Sequence, residues 1–390
     1  MVVAGTALSC DDRPVSVVER RLPQQTAASY GPPPRGGDIT EHPAGTPGPE
    51  EYETIRVEVC PGATLFVVTE PATTRRPANG GLRLLACADD TEAIRAGHLL
   101  AGRARVKHAV HRTGFAGAAL IAGADPRRVD RTALLRATAA VLDGLDGTLR
   151  TGRDAGTTAE DVRYLATLSR HVLGGTSCRV DPVRATARGV LGSVRAVVGD
   201  RLDGLSFLVH GTGAVGAEVA ELLCAARAGV RTHDLDPARA IRPGCRAVPP
   251  DEPWWRVPVD VVVVCSASEV IDPGLAGVLR AGALVSAADA PFTGPEAEHV
   301  LRSRGTVVLP DVVSSAGAAV CDSVEHHGTA AFHRADPEEL YAFAEHLVHR
   351  TTVDFLADPR SVLGRLGEVS AGVCGARFLG AGDVLRAVVG

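Results

Sequence analysis

At 390 residues, 45% hydrophobic and 22% charged, with a net charge of −5, the sequence describes a globular protein with room for two domains of ordinary size. It holds no basic block that would suit nucleic acid or an anionic membrane, and no apolar run near the ~20 residues of a membrane helix. Nine cysteines without a C-x-x-C pair give neither a zinc pattern nor a disulfide framework, and the histidines, densest at Glu325–His327, lack a matching carboxylate pattern.

Residues 1–50 are rich in Pro, Gly, Thr and charge and read as a flexible tail. The apolar start lacks a basic n-region and acids follow at once, so no signal peptide is expected and the cytoplasm is the expected location. From 51 to 176 the pattern is that of an α/β domain. "IRVEVC" and "TLFVVTE" flank a Pro-Gly turn as paired strands do, and "DDTEAIRAGHLLAGRARVKHAV" has helical spacing behind capping residues. "GAALIAG" then reads as a strand and "DRTALLRATAAVLDGL" as a helix. From 177 to 325, helix "PVRATARGVLGSVRAVVG" leads to short apolar strands ("LSFLVHG", "VRTHDLD", "VDVVVVCSAS", "GALVSAADA", "GTVVLPDVV") that alternate with helices, as in a parallel α/β sheet. Residues 326–390 read as helices that pack back towards the first domain. Cys265, inside "VVVVCSAS", reads as a core residue.

The strongest local signal is Gly211-Thr212-Gly213-Ala214-Val215-Gly216, a G-x-G-x-x-G turn between a strand and a helix. The first glycine permits the tight turn, the second lets backbone approach a pyrophosphate, and the third lets helix and strand pack closely. Asp234 ends the following strand, 18 residues beyond Gly216, where a carboxylate would accept the ribose hydroxyls and favour NAD over NADP. A second oddity is Lys107. It is the only lysine among 41 basic residues, at a position that keeps a compact ammonium where a planar guanidinium has not replaced it.

At "PANGGLRLL", "RVKHAV", "GADP", "TGRDAGTTAEDV" and "LPDVVSSAGAAV" the chain resembles the Glu/Leu/Phe/Val amino-acid dehydrogenase family, in order and with similar spacing over residues 55–330. The resemblance implies a substrate-binding and dimerisation domain, a Rossmann NAD-binding domain and a cleft between them. It further implies a homodimer or larger homo-oligomer and redox chemistry on a small anionic substrate. It assigns Lys107 to binding of the substrate carboxylate, Gly80 and Gly81 to the same pocket, and Asp154 to proton transfer at the amine or imine. Asp154 also suits a purely structural role as the cap of the helix in "TTAEDV". Thr186, Ala267 and Ser315 fall on positions facing the cofactor, and Ala290 on a substrate-binding position.

Several of these positions depart from the family. Its second lysine, which activates water for imine hydrolysis, falls on Ala119, and two of its asparagines fall on Ala290 and Ser315. Loss of a general acid/base typically forfeits 10²–10⁴-fold in rate. Three readings remain: an amine/imine oxidoreductase with altered chemistry in specialised biosynthesis, a non-redox enzyme using NAD catalytically, and an inactive NAD-binding pseudoenzyme. Retention of Lys107 and Asp154 favours the first. His108, His111 and Arg112 either replace part of the lost machinery or lie exposed at a helix end.

Overall fold

A computed structural model describes residues 7–8, 14–15, 52–60, 62–174, 180–249, 251–367 and 373–378. The expected tail over 1–50 therefore lies outside the described residues, apart from Ala7–Leu8 (β1) paired antiparallel with Pro14–Val15 (β2). The chain forms two compact units, one of Met1–His108 with Gly114–Cys178 and one of Ala109–Thr113 with Arg179–Gly390. No helix among the described residues is long and apolar enough to cross a membrane.

In the first unit Glu53–Cys60 (β3) and Ala63–Thr69 (β4) form the expected hairpin. Ala78–Asn79 (β5) and Leu82–Leu85 (β6) precede the long helix Asp90–Val110 (α1), whose start is capped by Asp89 accepting the Glu92 N–H at 2.9 Å. Ala116–Gly123 (β7), Arg131–Gly144 (α2), Leu149–Arg150 (β8) and Ala159–Leu168 (α3) complete the unit. The sheet runs β3-β4-β7-β5-β8, with β6 also pairing β7. β7 is central and nearly all buried, so its alternate side chains enter two separate cores. Ala118, Leu120 and Ala122 join Leu134, Leu142, Val162 and Leu165 on the α2–α3 side, whereas Ala119 and Ile121 join Phe66, Val68, Ala93 and Ala101 on the α1 side.

The second unit opens with Pro182–Val198 (α4), capped by Asp181 with Pro at the first helical position. Ser206–His210 (β9), Ala214–Ala225 (α5), Gly229–His233 (β10), Pro237–Ala240 (α6) and Arg246–Ala247 (β11) follow. Then come Val259–Val264 (β12), Pro273–Val278 (α7), Ala281–Ser286 (β13), Pro295–Ser303 (α8) and Val307–Leu309 (β14). The strand order β11-β10-β9-β12-β13-β14 is parallel throughout and reverses direction of winding between β9 and β12, which is the doubly wound dinucleotide-binding order.

Asp311–Ser314 (α9), Gly317–His327 (α10), Thr329–Arg334 (α11), Pro337–Ala357 (α12) and Pro359–Gly364 (α13) end the unit. The helices beyond residue 325, set apart from the cofactor domain in the sequence reading, fold with it, because α12 lies along α4. Gly192 of α4 makes that contact possible: a Cβ there would stand 2.2 Å from the Glu345 carbonyl oxygen. Glu345, 8% exposed, is bonded by Arg188 at 3.0 Å and by Arg195 across the same interface, and Ser193 meets Thr352 at 2.8 Å. Gly192→Ala should therefore push the two helices apart and cost about 1–3 kcal/mol, read as a lower urea midpoint; an unchanged midpoint would contradict this packing.

Two histidines at strand and helix ends are nearly excluded from water. His108, 4% exposed, bonds the Asn79 carbonyl at 3.1 Å, and burial pushes its pKa down to about 4. Burial, with His233 alongside, pushes His210 down to about 4 as well, against the pull of Asp234. Each folded-state value lies below the unfolded ~6.5, so the unfolded chain takes up protons first and stability falls with pH over that window. Each histidine should withdraw about 3 kcal/mol between about pH 6.5 and about pH 4, and His108→Gln should flatten the dependence of the urea midpoint on pH.

Candidate active site

In the first unit the double glycine is a steric requirement of the crossing between β5 and β6. A Cβ on Gly80 would lie 2.0 Å from the Ala118 carbonyl oxygen, and one on Gly81 would lie 2.5 Å from the Asp154 Cβ. The structure thus brings Gly80, Gly81 and Asp154 together. The carboxylate of Asp154 is then gripped from two directions. Arg83 donates Nε–H to Oδ2 at 3.1 Å and Nη2–H to Oδ1 at 3.0 Å, and the Ala155 N–H reaches Oδ1 at 2.7 Å. Such a bidentate pair fixes the plane of the carboxylate as well as its position. The backbone below is held by Thr157, whose Oγ accepts the Asp154 N–H at 3.1 Å. Asp154 does not cap the next helix. Thr158 does so, in a capping box with Asp161.

Lys107 lies in the last turn of α1, half-buried. Its neighbour His108 ties that turn to Asn79, the residue before Gly80. His108 and His111 are 4% and 2% exposed, so the alternative of exposure at a helix end fails for both. Each ring spends a nitrogen on a backbone carbonyl, His108 on Asn79 and His111 on Val313 at 3.0 Å. Arg112, half-buried, has a left-handed backbone with φ 53°. Ala119 is 3% exposed and points into the apolar cluster of Phe66, Val68, Ala93, Ala101 and Ile121. A side chain at that position meets hydrocarbon.

In the second unit the glycine-rich turn has the form a dinucleotide needs. Gly211 has φ 88° and stands so close to the next strand's exit that a Cβ would lie 2.5 Å from the Ser266 Cα. A Cβ on Gly216 would lie 1.9 Å from the Gly211 carbonyl oxygen, so the helix starts directly against the turn. A Cβ on Gly213 would meet nothing within 4 Å, which leaves open space above the N-terminus of α5, where no side chain caps the amides. Ala214 and Val215 form the first turn of that helix. These residues fit a pyrophosphate.

Asp234 takes the Thr212 N–H on Oδ2 at 2.7 Å, the Thr212 Oγ–H at 3.2 Å, and the Asp236 N–H on Oδ1 at 3.0 Å. Burial raises its pKa, but the amides of Asp236 and Thr212 and the Thr212 hydroxyl outweigh it, for a net downward shift. The carboxylate braces the turn and keeps further acceptor lone pairs. Arg242 adds a second brace by donating to the Thr212 carbonyl at 2.9 Å.

The remaining assigned positions are more loosely tied to this site. Thr186 is half-buried on α4, and Ala267 is exposed in the turn after β12. Ser315 is 6% exposed and spends its hydroxyl on the Asp311 carbonyl at 2.7 Å. Ala290 has φ 46°, a left-handed conformation that an asparagine adopts more readily than an alanine, and its carbonyl accepts the Glu269 N–H at 2.8 Å. No group of His, Cys, Asp and Glu among the described residues could hold a metal ion.

Sequence reasoning missed Arg83, which reads as an ordinary solvent-side residue in "LRLL", and the ring cluster under the turn. There His210 stacks on His233 with centroids 5.1 Å apart, Trp254 lies 4.2 Å from His210, and Ser266 bonds His210 Nδ1 at 2.8 Å. The position of His210 and His233 just before Gly211 and Asp234 was the available signal.

Residues 230–358 match the family model described as glutamate/leucine/phenylalanine/valine dehydrogenase. The chain is 28% identical over 286 residues to a leucine dehydrogenase of Thermoactinomyces intermedius, covering 70% of this chain and 78% of that one. It is 27% identical over 258 residues to an L-tryptophan dehydrogenase of Nostoc punctiforme, covering 64% and 72%. Among solved structures, the L-tryptophan dehydrogenase of Nostoc punctiforme superposes with a TM-score of 0.61 at 23% identity, over 79% of this chain and 93% of that one. The hetero-hexameric glutamate dehydrogenase of Thermus thermophilus superposes with a TM-score of 0.66 at 21% identity, over 86% and 88%. The fold is therefore that of two-domain amino-acid dehydrogenases. The chain is thus similar in sequence to the glutamate/leucine/phenylalanine/valine dehydrogenase family over residues 230–358, and shares the fold of its solved neighbours over most of its length.

Proposed function

We propose that the protein is an NAD-dependent oxidoreductase acting on the C–N bond of a small anionic amine or imine, without enzymatic hydrolysis of the imine. The observation that carries this reading is the contrast between Asp154, presented beside Gly81, and Ala119, sealed in an apolar cluster. Bound NAD supplies the hydride acceptor or donor. Asp154 takes the proton from the substrate nitrogen as the C–N bond is oxidised and returns it on reduction, with Arg83 fixing the direction in which its oxygens face. Lys107 holds the substrate's anionic group as a point charge. Gly80 and Gly81 let substrate approach the backbone. Nothing at position 119 orients water, so the imine either enters preformed or leaves, or cyclises, before hydrolysis. The working form is a homo-oligomer in the cytoplasm, in a specialised biosynthetic pathway.

The test is NADH absorbance with purified protein. Preformed or cyclic imines carrying a carboxylate should be reduced, and 2-oxo acids with ammonia should turn over poorly. Binding of NADH with no turnover of any such imine would sink the reading. Lys107→Ala and Asp154→Asn should each lower kcat/KM by about 10²–10⁴ while NADH affinity stays unchanged. The lysine change should act through KM and the aspartate change through kcat.

Restoring a lysine at position 119 should not restore imine hydrolysis. Ala119→Lys would drive an ammonium among Phe66, Val68 and Ile121, at a cost of several kcal/mol. We expect a large loss of thermal stability and no gain with 2-oxo acids and ammonia. A stable variant with raised oxidative deamination would show that this strand presents position 119 to substrate.

A further inference from the structure

Cys224 sits in the last turn of α5, and Cys245 lies in the loop that leads to β11. Both are half-buried, and their sulfurs are 3.4 Å apart. A disulfide needs about 2.05 Å, so the two sulfurs must approach by about 1.4 Å. The turn that carries Cys245 already rests on Cys224: a Cβ at Gly244, φ +75°, would lie 3.4 Å from the Cys224 Sγ. We propose that Cys224 and Cys245 are a site of reversible intramolecular disulfide formation that controls how tightly the glycine-rich turn holds its nucleotide.

The co-reactant is a low-molecular-weight disulfide, RSSR. One protein thiolate attacks RSSR and forms a mixed disulfide, releasing RS⁻. The second thiolate then attacks the protein sulfur of that mixed disulfide, forming the Cys224–Cys245 bond and releasing the second RS⁻. The two cysteines lose two protons and two electrons, and RSSR is reduced to two RSH. In either order Cys245 must ionise once. Burial and its contact with Cys224 push its pKa up to about 12, so the rate should climb with pH through the alkaline range.

The segment from Arg242 to Cys245 reaches the glycine-rich turn through a short chain of hydrogen bonds. The Cys245 N–H bonds the Arg242 carbonyl at 3.1 Å, and Arg242 Nη2 bonds the Thr212 carbonyl at 2.9 Å. The Thr212 hydroxyl shares its one proton between Asp234 and the Arg239 carbonyl, which lies 2.9 Å from Thr212 Oγ. Drawing Cys245 towards α5 moves Arg242 off the turn that Asp234 braces from the other side. Oxidation should therefore weaken nucleotide binding.

The full chain would be incubated with glutathione disulfide, alkylated and digested without reduction. The expected result is a Cys224–Cys245 linked peptide and an intact mass lower by two hydrogens, both reversed by dithiothreitol. Cys224→Ser and Cys245→Ser, or the corresponding Ala variants, should instead retain glutathione on the remaining cysteine. Separate alkylation of the two cysteines in the wild-type chain overturns the site. The control over nucleotide rests on the proposed NAD reading: the NADH dissociation constant should rise several-fold on oxidation, and an unchanged constant in the linked protein overturns that part. Failure of the reduced protein to bind NADH would count against the proposed function, and the linked peptide would still decide the site.

Discussion

The strand Ala116–Gly123 is the constraint on which the first unit's chemistry depends. It is paired on both edges, antiparallel to β4 and parallel to β5 and β6, and covered on both faces. Pairing fixes which residues face which core, because a slip of one residue would exchange the two sets. Gly80 crosses this strand against the backbone of Ala118 and Ala119, and that approach sets the path of Gly81, which leaves room for Asp154. The glycines therefore define a floor of bare backbone with a carboxylate at its edge. A buried ion pair supports the same strand. Glu70, 8% exposed, accepts the Gly117 N–H at 2.6 Å and pairs with Arg105 of α1 at 2.9 Å. Removing one partner of such a pair would leave a buried charge uncompensated.

The second unit is organised by close approaches of another kind. Its sheet is parallel and apolar, and the polar groups at the carboxyl ends of β9 and β10 are committed to each other. Asp234 holds the turn, Arg242 holds it from the opposite carbonyl, and His210 is fixed by Ser266 and by ring stacking. An anion entering the open space above Gly213 would meet a turn already braced by these bonds. A preorganised site of this type loses little to ordering on binding.

The Rossmann half was legible in the sequence because its strands are continuous apolar runs and its turn carries three glycines with distinct steric duties. Much of the first unit was not. β5 and β8 are two residues long and carry no period, yet they complete the sheet. His108 and His111 sit in a sequence that reads as a basic helix end. Both are buried because their partners, Asn79 and Val313, lie 29 and 202 residues away. The sequence offered Asp154 as the cap of α3, whereas the cap is Thr158, whose spacing to Asp161 satisfies the reciprocal capping geometry. The helices after residue 325 carry no strand alternation to link them to the preceding sheet, and α12 is tied to α4 by contacts such as Gly192 with Glu345 and Ser193 with Thr352.

Asp154 stands against Gly81 and pairs with Arg83, whose side chain is only 20% exposed. That pairing gives the carboxylate a structural role as well, since its loss would remove both hydrogen bonds that Arg83 makes to it. The alanine at 119 is different in kind. Its small volume is what the α1-side core accepts between Phe66, Val68 and Ala101, and a charged side chain there would be placed in that apolar cluster. On the proposed reading, the packing of this core accounts for the lack of imine hydrolysis. On that reading the glycines form the floor for an anionic substrate with Asp154 as the proton acceptor beside it, and position 119 belongs to the hydrophobic interior.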